Sequence, residues 1–309
     1  MTRDLIHIPP AVVAAINNHE ALVALESSVL AQGLPAPLNL ETARACEEAV
    51  RREGATPVTI GIVDGVPLIG LSDREMEIFA GGSAPDGSSI EKVSLNNLAG
   101  QALRGSWGAT TVAASMQIAC GGGVRVFSTG GIGGVHRGVA DSFDISTDLT
   151  VLGRIPLICV CAGAKAILDL PKTVEQLETL GIPVIGYRTE EFPAFYSRSS
   201  GLPVDITVQS PDEAAELAWR HWRSGITTAV LVCVPVPEEF ELPAAEIGRA
   251  TEQAVEEAAR TGVRGKRLTP FLLAQMEKRT GGRTLQTNRS LLINNASVAA
   301  QIALRLNKM

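Results

Sequence analysis

An α/β fold, with one central sheet and helices on both faces, is predicted by two features of the 309-residue sequence. Short runs rich in Val, Ile and Leu recur, and most are apolar throughout rather than alternating, as strands covered on both faces are. Between them lie segments whose apolar residues return at helical spacing. The strands read, in order, as Leu22–Glu26, Val58–Val63, Val124–Thr129, Leu157–Ala162, Ile182–Gly186, Val204–Val208 and Ala229–Val234. Leu40–Glu53 places Ala43, Cys46, Ala49 and Val50 on one helical stripe, and Pro211–Arg223 does so with Ala214, Leu217, Ala218 and Trp222. Thr251–Arg260 and Leu291–Leu306 are amphipathic in the same way. The segment Gly81–Ser89 is a surface loop by composition, and neither a long linker nor a repeat divides the chain. Residues 1–309 are therefore expected to form a single domain.

Composition bounds the function. Hydrophobic residues make up 45% and charged residues 19%, enough apolar material for a sizeable core. A net charge of −6 argues against binding nucleic acid backbones, though not against a local cationic pocket for one small anion. No apolar run reaches the ~20 residues that cross a bilayer, and Met1–Pro10 has no apolar signal core, so a cytoplasmic protein without membrane partners is expected. The five cysteines, Cys46, Cys120, Cys159, Cys161 and Cys233, are odd in number and most lie in apolar runs, which reads as reduced core thiols.

In parallel sheets ligands gather beyond the carboxyl ends of strands, and several candidates stand there. Glu26 ends an apolar strand, and a half-buried carboxyl suits a general acid. After Val124–Thr129 comes Gly130-Gly131-Ile132-Gly133-Gly134-Val135-His136-Arg137-Gly138, whose glycines would let the backbone approach a ligand or form an anion nest. His136 stands where a dinucleotide fingerprint needs its third glycine, and no Gly-Lys-Ser/Thr follows, so NAD and ATP are poor fits. Asp141, Asp144 and Asp148, if helical, would share one face and favour an oxygen-loving cation; a solvated acidic face is the alternative. Lysine is scarce, six of 27 basic residues, and Lys165 sits in Ala162-Gly163-Ala164-Lys165-Ala166 just past a core strand. An amine in so apolar a setting suits Schiff-base chemistry. Lys92 is a second candidate, for phosphate or hydroxyl, and Asn288 caps the last helix or reaches a ligand.

Together these segments resemble the pseudouridine-5′-phosphate glycosidase (pseudouridylate synthase) family from about Pro10 to Leu306. The carrying stretches are Val23–Ser27, Gly108–Ala113, Ser128–Gly138, Phe143–Leu149, Val160–Lys165 and Thr269–Ala274, with Leu177–Thr179 and Pro193–Phe195 besides. The resemblance implies a three-layer α/β/α sandwich of indigoidine synthase A-like type with a mostly parallel or mixed sheet, and a homotrimer. It implies reversible splitting of pseudouridine 5′-phosphate into uracil and ribose 5-phosphate, with Mn²⁺ or another divalent cation such as Mg²⁺. By it, Lys165 is the amine that bonds C1′, Glu26 the proton donor and Asp144 the metal ligand. Lys92, Val112, Ser146, Thr147 and Asp148 match substrate-binding positions, and Thr129, His136 and Asn288 match residues around the sugar phosphate. Two departures stand out: Thr147 where Ala is common, and Val234 where Asn often precedes the proline. Two alternatives are action on a different C-glycoside, as in pigment biosynthesis, and a non-catalytic sugar-phosphate binder.

Overall fold

The computed structural model describes residues 1–263 and 268–309, and in 269 and 270 the backbone alone. Lys266 and the side chains of Thr269 and Pro270, part of one family-like stretch, lie outside the described residues. Among the described residues ten strands form one sheet. They are β1 (Leu22–Glu26), β2 (Thr56–Val63), β3 (Val66–Ile69), β4 (Glu91–Val93) and β5 (Gly108–Thr110). They continue with β6 (Val126–Ser128), β7 (Ile158–Cys161), β8 (Val184–Tyr187), β9 (Ile206–Val208) and β10 (Val230–Cys233). The order across the sheet is β4-β5-β2-β1-β6-β7-β10-β8-β9, with β3 hairpinned onto β2. All seven strands expected from the sequence are present; β3, β4 and β5, three or four residues each, are additions.

Pairing from β2 through β1, β6, β7, β10, β8 to β9 is parallel, whereas β3 and β5 lie antiparallel to β2. The central strands are apolar because both faces are covered: every residue of β6, β7 and β10 is buried. The helices Leu38–Arg52, Pro211–Arg223 and Arg283–Leu306 pack together on one side, the last lying across β1, β6 and β7. Val112–Gly121 packs against β1, β2 and β3 and against Thr147–Leu152. The result is the expected α/β/α sandwich with a mixed sheet. No helix among the described residues is long and apolar enough to cross a membrane. The five cysteines are free thiols, all buried but the half-buried Cys120, and burial pushes the Cys46 thiol up to about 12, as for an inert core residue.

The Asp141–Asp148 segment is not one helix. A turn over Val139–Ser142 ends at Phe143, whose φ of 50° is left-handed, and a new helix starts at Thr147 behind a Ser146 cap. The three carboxylates therefore do not share a face: Asp141 is exposed, Asp144 half-buried and Asp148 buried.

Candidate active site

The edge where β1, β6 and β7 end, three neighbours in the sheet, carries the candidate groups. Glu26 is the last residue of β1, Thr129 follows β6 directly, and Lys165 follows the end of β7 after a short apolar run. Beyond the strands the pairing continues: Ile132 bridges to Ala164 in parallel fashion, and the Lys165 amide donates to the Ile132 carbonyl at 3.1 Å. Gly163 makes this approach possible. Its φ is +81°, and a Cβ there would lie 2.2 Å from the Pro193 carbonyl oxygen. β5 and β4 reach the same edge from the opposite direction, since Gly61 of β2 pairs with Ala109 and Ala109 with Lys92.

Glu26 is 9% exposed. The hydroxyls of Thr129 and Ser28 donate to its two oxygens, so both lone-pair faces are oriented from within the protein. Thr129 is itself held: the Asn295 amide of the last helix donates to its carbonyl at 2.9 Å. Lys165 is half-buried and faces the same recess as Lys92. Burial, followed by the charge of Lys165, lowers the Lys92 ammonium below its ordinary value, with Glu26 and Asp148 acting against it. Burial also lowers the His136 imidazolium; Asp144 pulls it back up, while Lys165 and Lys92 push it further down.

The recess has two connected parts. The larger, about 420 Å³, is polar-walled by Ser94, Asn96, Asn97, Thr111, His136, Asp144, Ser146, Thr147 and Asp148, with Val112 beside them. The smaller, about 60 Å³, is walled by Val29, Gln32, Thr129, Phe195, Leu273, Asn288 and Leu292. Glu26, Ser28, Lys92 and Lys165 line both and mark their junction. Every residue that the resemblance assigns lies on this recess, with Thr129 and Asn288 on its smaller side, apart from His136 on the larger; Asp141 does not line it. Hollows of about 740 and 760 Å³ open elsewhere, but neither gathers these groups; convergence, not size, singles out the recess as the candidate site.

Two expectations change. Much of the backbone of the glycine loop is engaged within the protein rather than left for an anion. The N–H groups of Thr129, Ile132 and His136 donate to backbone carbonyls, and those of Gly133 and Val135 to the Asp148 carboxylate and the Thr173 hydroxyl. Arg137 is exposed and lies off the described walls. Asp148 is a brace as well as a wall: its two oxygens accept from Ala113 N at 2.9 Å and Gly133 N at 2.8 Å, joining a helix start to the glycine loop. Of the two departures, Thr147 is on the wall of the recess, whereas Val234 is buried with its amide on the Cys161 carbonyl. Sequence reasoning missed Ser28, Gln32, Asn96 and Asn97. Ser28, two residues past Glu26, was the one with a local signal.

A divalent cation is compatible with this donor set in one way. Among the described residues no group of three or more His, Cys, Asp or Glu is placed to share an ion. Asp144 would be its protein ligand, with water and substrate oxygens completing the shell, as hard cations such as Mg²⁺ and Mn²⁺ accept.

Residues 11–305 match the family model described as indigoidine synthase A like protein. A protein of Caldanaerobacter subterraneus subsp. tengcongensis named pseudouridine-5′-phosphate glycosidase is 49% identical over 304 residues, covering 98% of this chain and 97% of its own. One of the same name from Escherichia coli is 46% identical, over 97% of this chain and 95% of its own. Among solved structures, the prealnumycin C-glycosynthase AlnA in complex with ribulose 5-phosphate superposes with a TM-score of 0.89 at 36% identity, covering 98% of this chain and 97% of that one. An indigoidine synthase A-like protein from Thermotoga maritima gives 0.86 at 36% identity, over 94% of each chain.

Proposed function

The chain belongs to the indigoidine synthase A-like family, among relatives named pseudouridine-5′-phosphate glycosidase, and on that premise we propose that it reversibly splits pseudouridine 5′-phosphate into uracil and ribose 5-phosphate through a covalent adduct on Lys165. The observation that supports this reading most is the convergence of Glu26 and Lys165, from strands flanking β6, on the junction of a polar and an apolar compartment. An amine that bonds C1′ must sit where the two substituents of that carbon diverge. The polar side suits the phosphosugar, the apolar side the base.

A carbon leaving group offers no lone pair to protonate, so paired carboxylates alone do not break a C-glycoside. In the proposed route C1′–O4′ breaks first, and Glu26 delivers a proton to O4′. Lys165 Nζ, having lost a proton, bonds C1′. Its lone pair then forms the C1′=N iminium as C1′–C5 breaks, and C5 takes a proton to give uracil. Water adds to the iminium, releasing ribose 5-phosphate and restoring the amine. Lys92 and His136 hold the phosphate. A cation on Asp144 would, when bound, neutralise charge on a substrate oxygen.

Lys165→Ala is expected to lower turnover at least about 10⁴-fold, with the far-UV circular dichroism unchanged. Borohydride with ribose 5-phosphate should add the reduced sugar to the Lys165 peptide, read by mass spectrometry. An active Lys165→Ala variant, or a wild-type peptide without the adduct, would sink the covalent route. The C-glycosynthase neighbour favours a second reading, a different aglycone. Formation of pseudouridine 5′-phosphate from uracil and ribose 5-phosphate decides between them.

A further inference from the structure

We propose that Gln32 reads the free N1–H of the departing pyrimidine and so selects a C-linked over an N-linked base; this deepens the function proposed above and rests on it. Gln32 lies in a single π-helical turn, Val29–Gly33, which follows Glu26 after Ser27 and Ser28. Such turns insert one residue into a helical path and recur at functional sites. This one is braced. Leu30 is fully buried, and its carbonyl accepts the Asn39 amide at 2.7 Å, while the same amide donates to the Ala80 carbonyl at 3.0 Å.

The side chain is fixed at one end. Gln32 Nε2 donates to the Ile90 carbonyl at 3.1 Å, which settles the amide orientation and leaves Oε1 as an acceptor. That oxygen is buried and has no partner among the described residues. A buried acceptor left unpaired is costly, and such groups call for a reason. Gln32 lines the smaller compartment together with Glu26, Val29 and Phe195. Phe195 is held there at a left-handed φ of 63°, its ring packed edge-on to Tyr196. Val29, Phe195, Leu273 and Leu292 offer apolar surface to a flat ring, and Gln32 adds an uncharged acceptor to the polar groups of Glu26, Thr129 and Asn288 on the same wall, which suits a heterocycle carrying an N–H.

The reaction says which N–H. In a C5-linked uracil, N1 is unsubstituted and conjugated through C6=C5 to C1′. As C1′–O4′ breaks, N1 feeds electron density toward C1′ and its hydrogen becomes more acidic. An acceptor on that hydrogen strengthens as the bond breaks, so it favours the transition state over the ground state. A base linked through N1 has no hydrogen to give there.

The test compares cleavage of pseudouridine 5′-phosphate with that of its N1-methyl and N3-methyl analogues, in the wild type, Gln32→Met and Gln32→Ala. Wild-type kcat/KM is expected to fall at least about tenfold on N1 methylation, the worth of one hydrogen bond to a buried acceptor. Both variants should lose a similar factor on the parent substrate, and Gln32→Ala, which opens room for the methyl, should cleave parent and N1-methyl analogue within a few-fold of each other. Ribose 5-phosphate affinity, by titration calorimetry, should match the wild type and so show an intact fold and sugar site. Variants within twofold of the wild type on the parent, discrimination against N1-methyl undiminished in Gln32→Ala, or sensitivity to N3-methyl alone would each overturn the assignment. A wild type that cleaves none of the three would overturn the underlying function instead.

Discussion

Lys92 shows how a single residue is made useful at a cost in stability. Its ammonium is lowered by burial and by the neighbouring charge of Lys165. Between that lowered value and the unfolded value near 10.5 the unfolded chain binds more protons than the folded one, so this group makes stability rise with pH in that window. Below the window the penalty is present in full. Lys92→Met should therefore stabilise the protein at pH 7 by about 1 kcal/mol, raising Tm by roughly 2 °C, while crippling turnover. It should also flatten the upward slope of stability toward pH 10. A Lys92→Met protein that melts lower than the wild type would show that the amine is paid back by contacts in the folded state. At this scale the sequence is legible where a charge interrupts an apolar pattern: Glu26 and Lys165 declare themselves that way. Gln32 does not, because an uncharged amide six residues past a strand looks like any surface polar group until its buried, unpartnered oxygen is seen.

At the scale of elements, the glycine loop after β6 is where sequence reasoning and structure part most. Glycine was expected to free the backbone for a ligand. Instead Gly133 is needed because other parts of the protein crowd it: a Cβ would lie 2.3 Å from Ser146 Oγ and 2.8 Å from Asp148 Oδ2. Gly138 is the converse, left-handed at φ +76° with open space around it. Gly133→Ala should cost about 1–3 kcal/mol through overpacking and loosen the Asp148 brace, lowering activity with it. Gly138→Ala should cost about 1 kcal/mol through backbone strain alone and leave activity nearly intact. Urea unfolding of the two variants checks this, and equal midpoints would refute the crowding account. Long apolar runs such as Leu157–Ala162 were readable because two covered faces demand them. β3, β4 and β5 were not, since three or four residues carry no period and their place depends on β2 extending past β1. The Asp141–Asp148 spacing misled because Phe143 leaves the helical region.

For the whole molecule, site and fold cannot be separated. The walls of the recess come from residues as far apart as Glu26 and Leu292, and three adjacent strand ends hold Glu26, Thr129 and Lys165 at one edge. The general place was foreseeable from the rule that ligands gather at the carboxyl ends of parallel strands; which residues meet across the edge was not, because sheet order is set by long-range packing. In a chain of net charge −6, one polar hollow brings Lys92, Lys165 and His136 together with Glu26, Asp144 and Asp148, and the two lysines give a phosphorylated sugar partners that a neutral base does not need. Since the hollow exists only in the folded chain, ribose 5-phosphate should bind that state alone and stabilise all of it together. At 100 times its dissociation constant the expected gain is about 2.7 kcal/mol, a rise in Tm of roughly 5 °C. Uracil alone, lacking the anion, should shift Tm far less at the same concentration. Differential scanning fluorimetry separates the two ligands, and a shift with uracil but none with ribose 5-phosphate would mean that the polar compartment does not hold the phosphosugar.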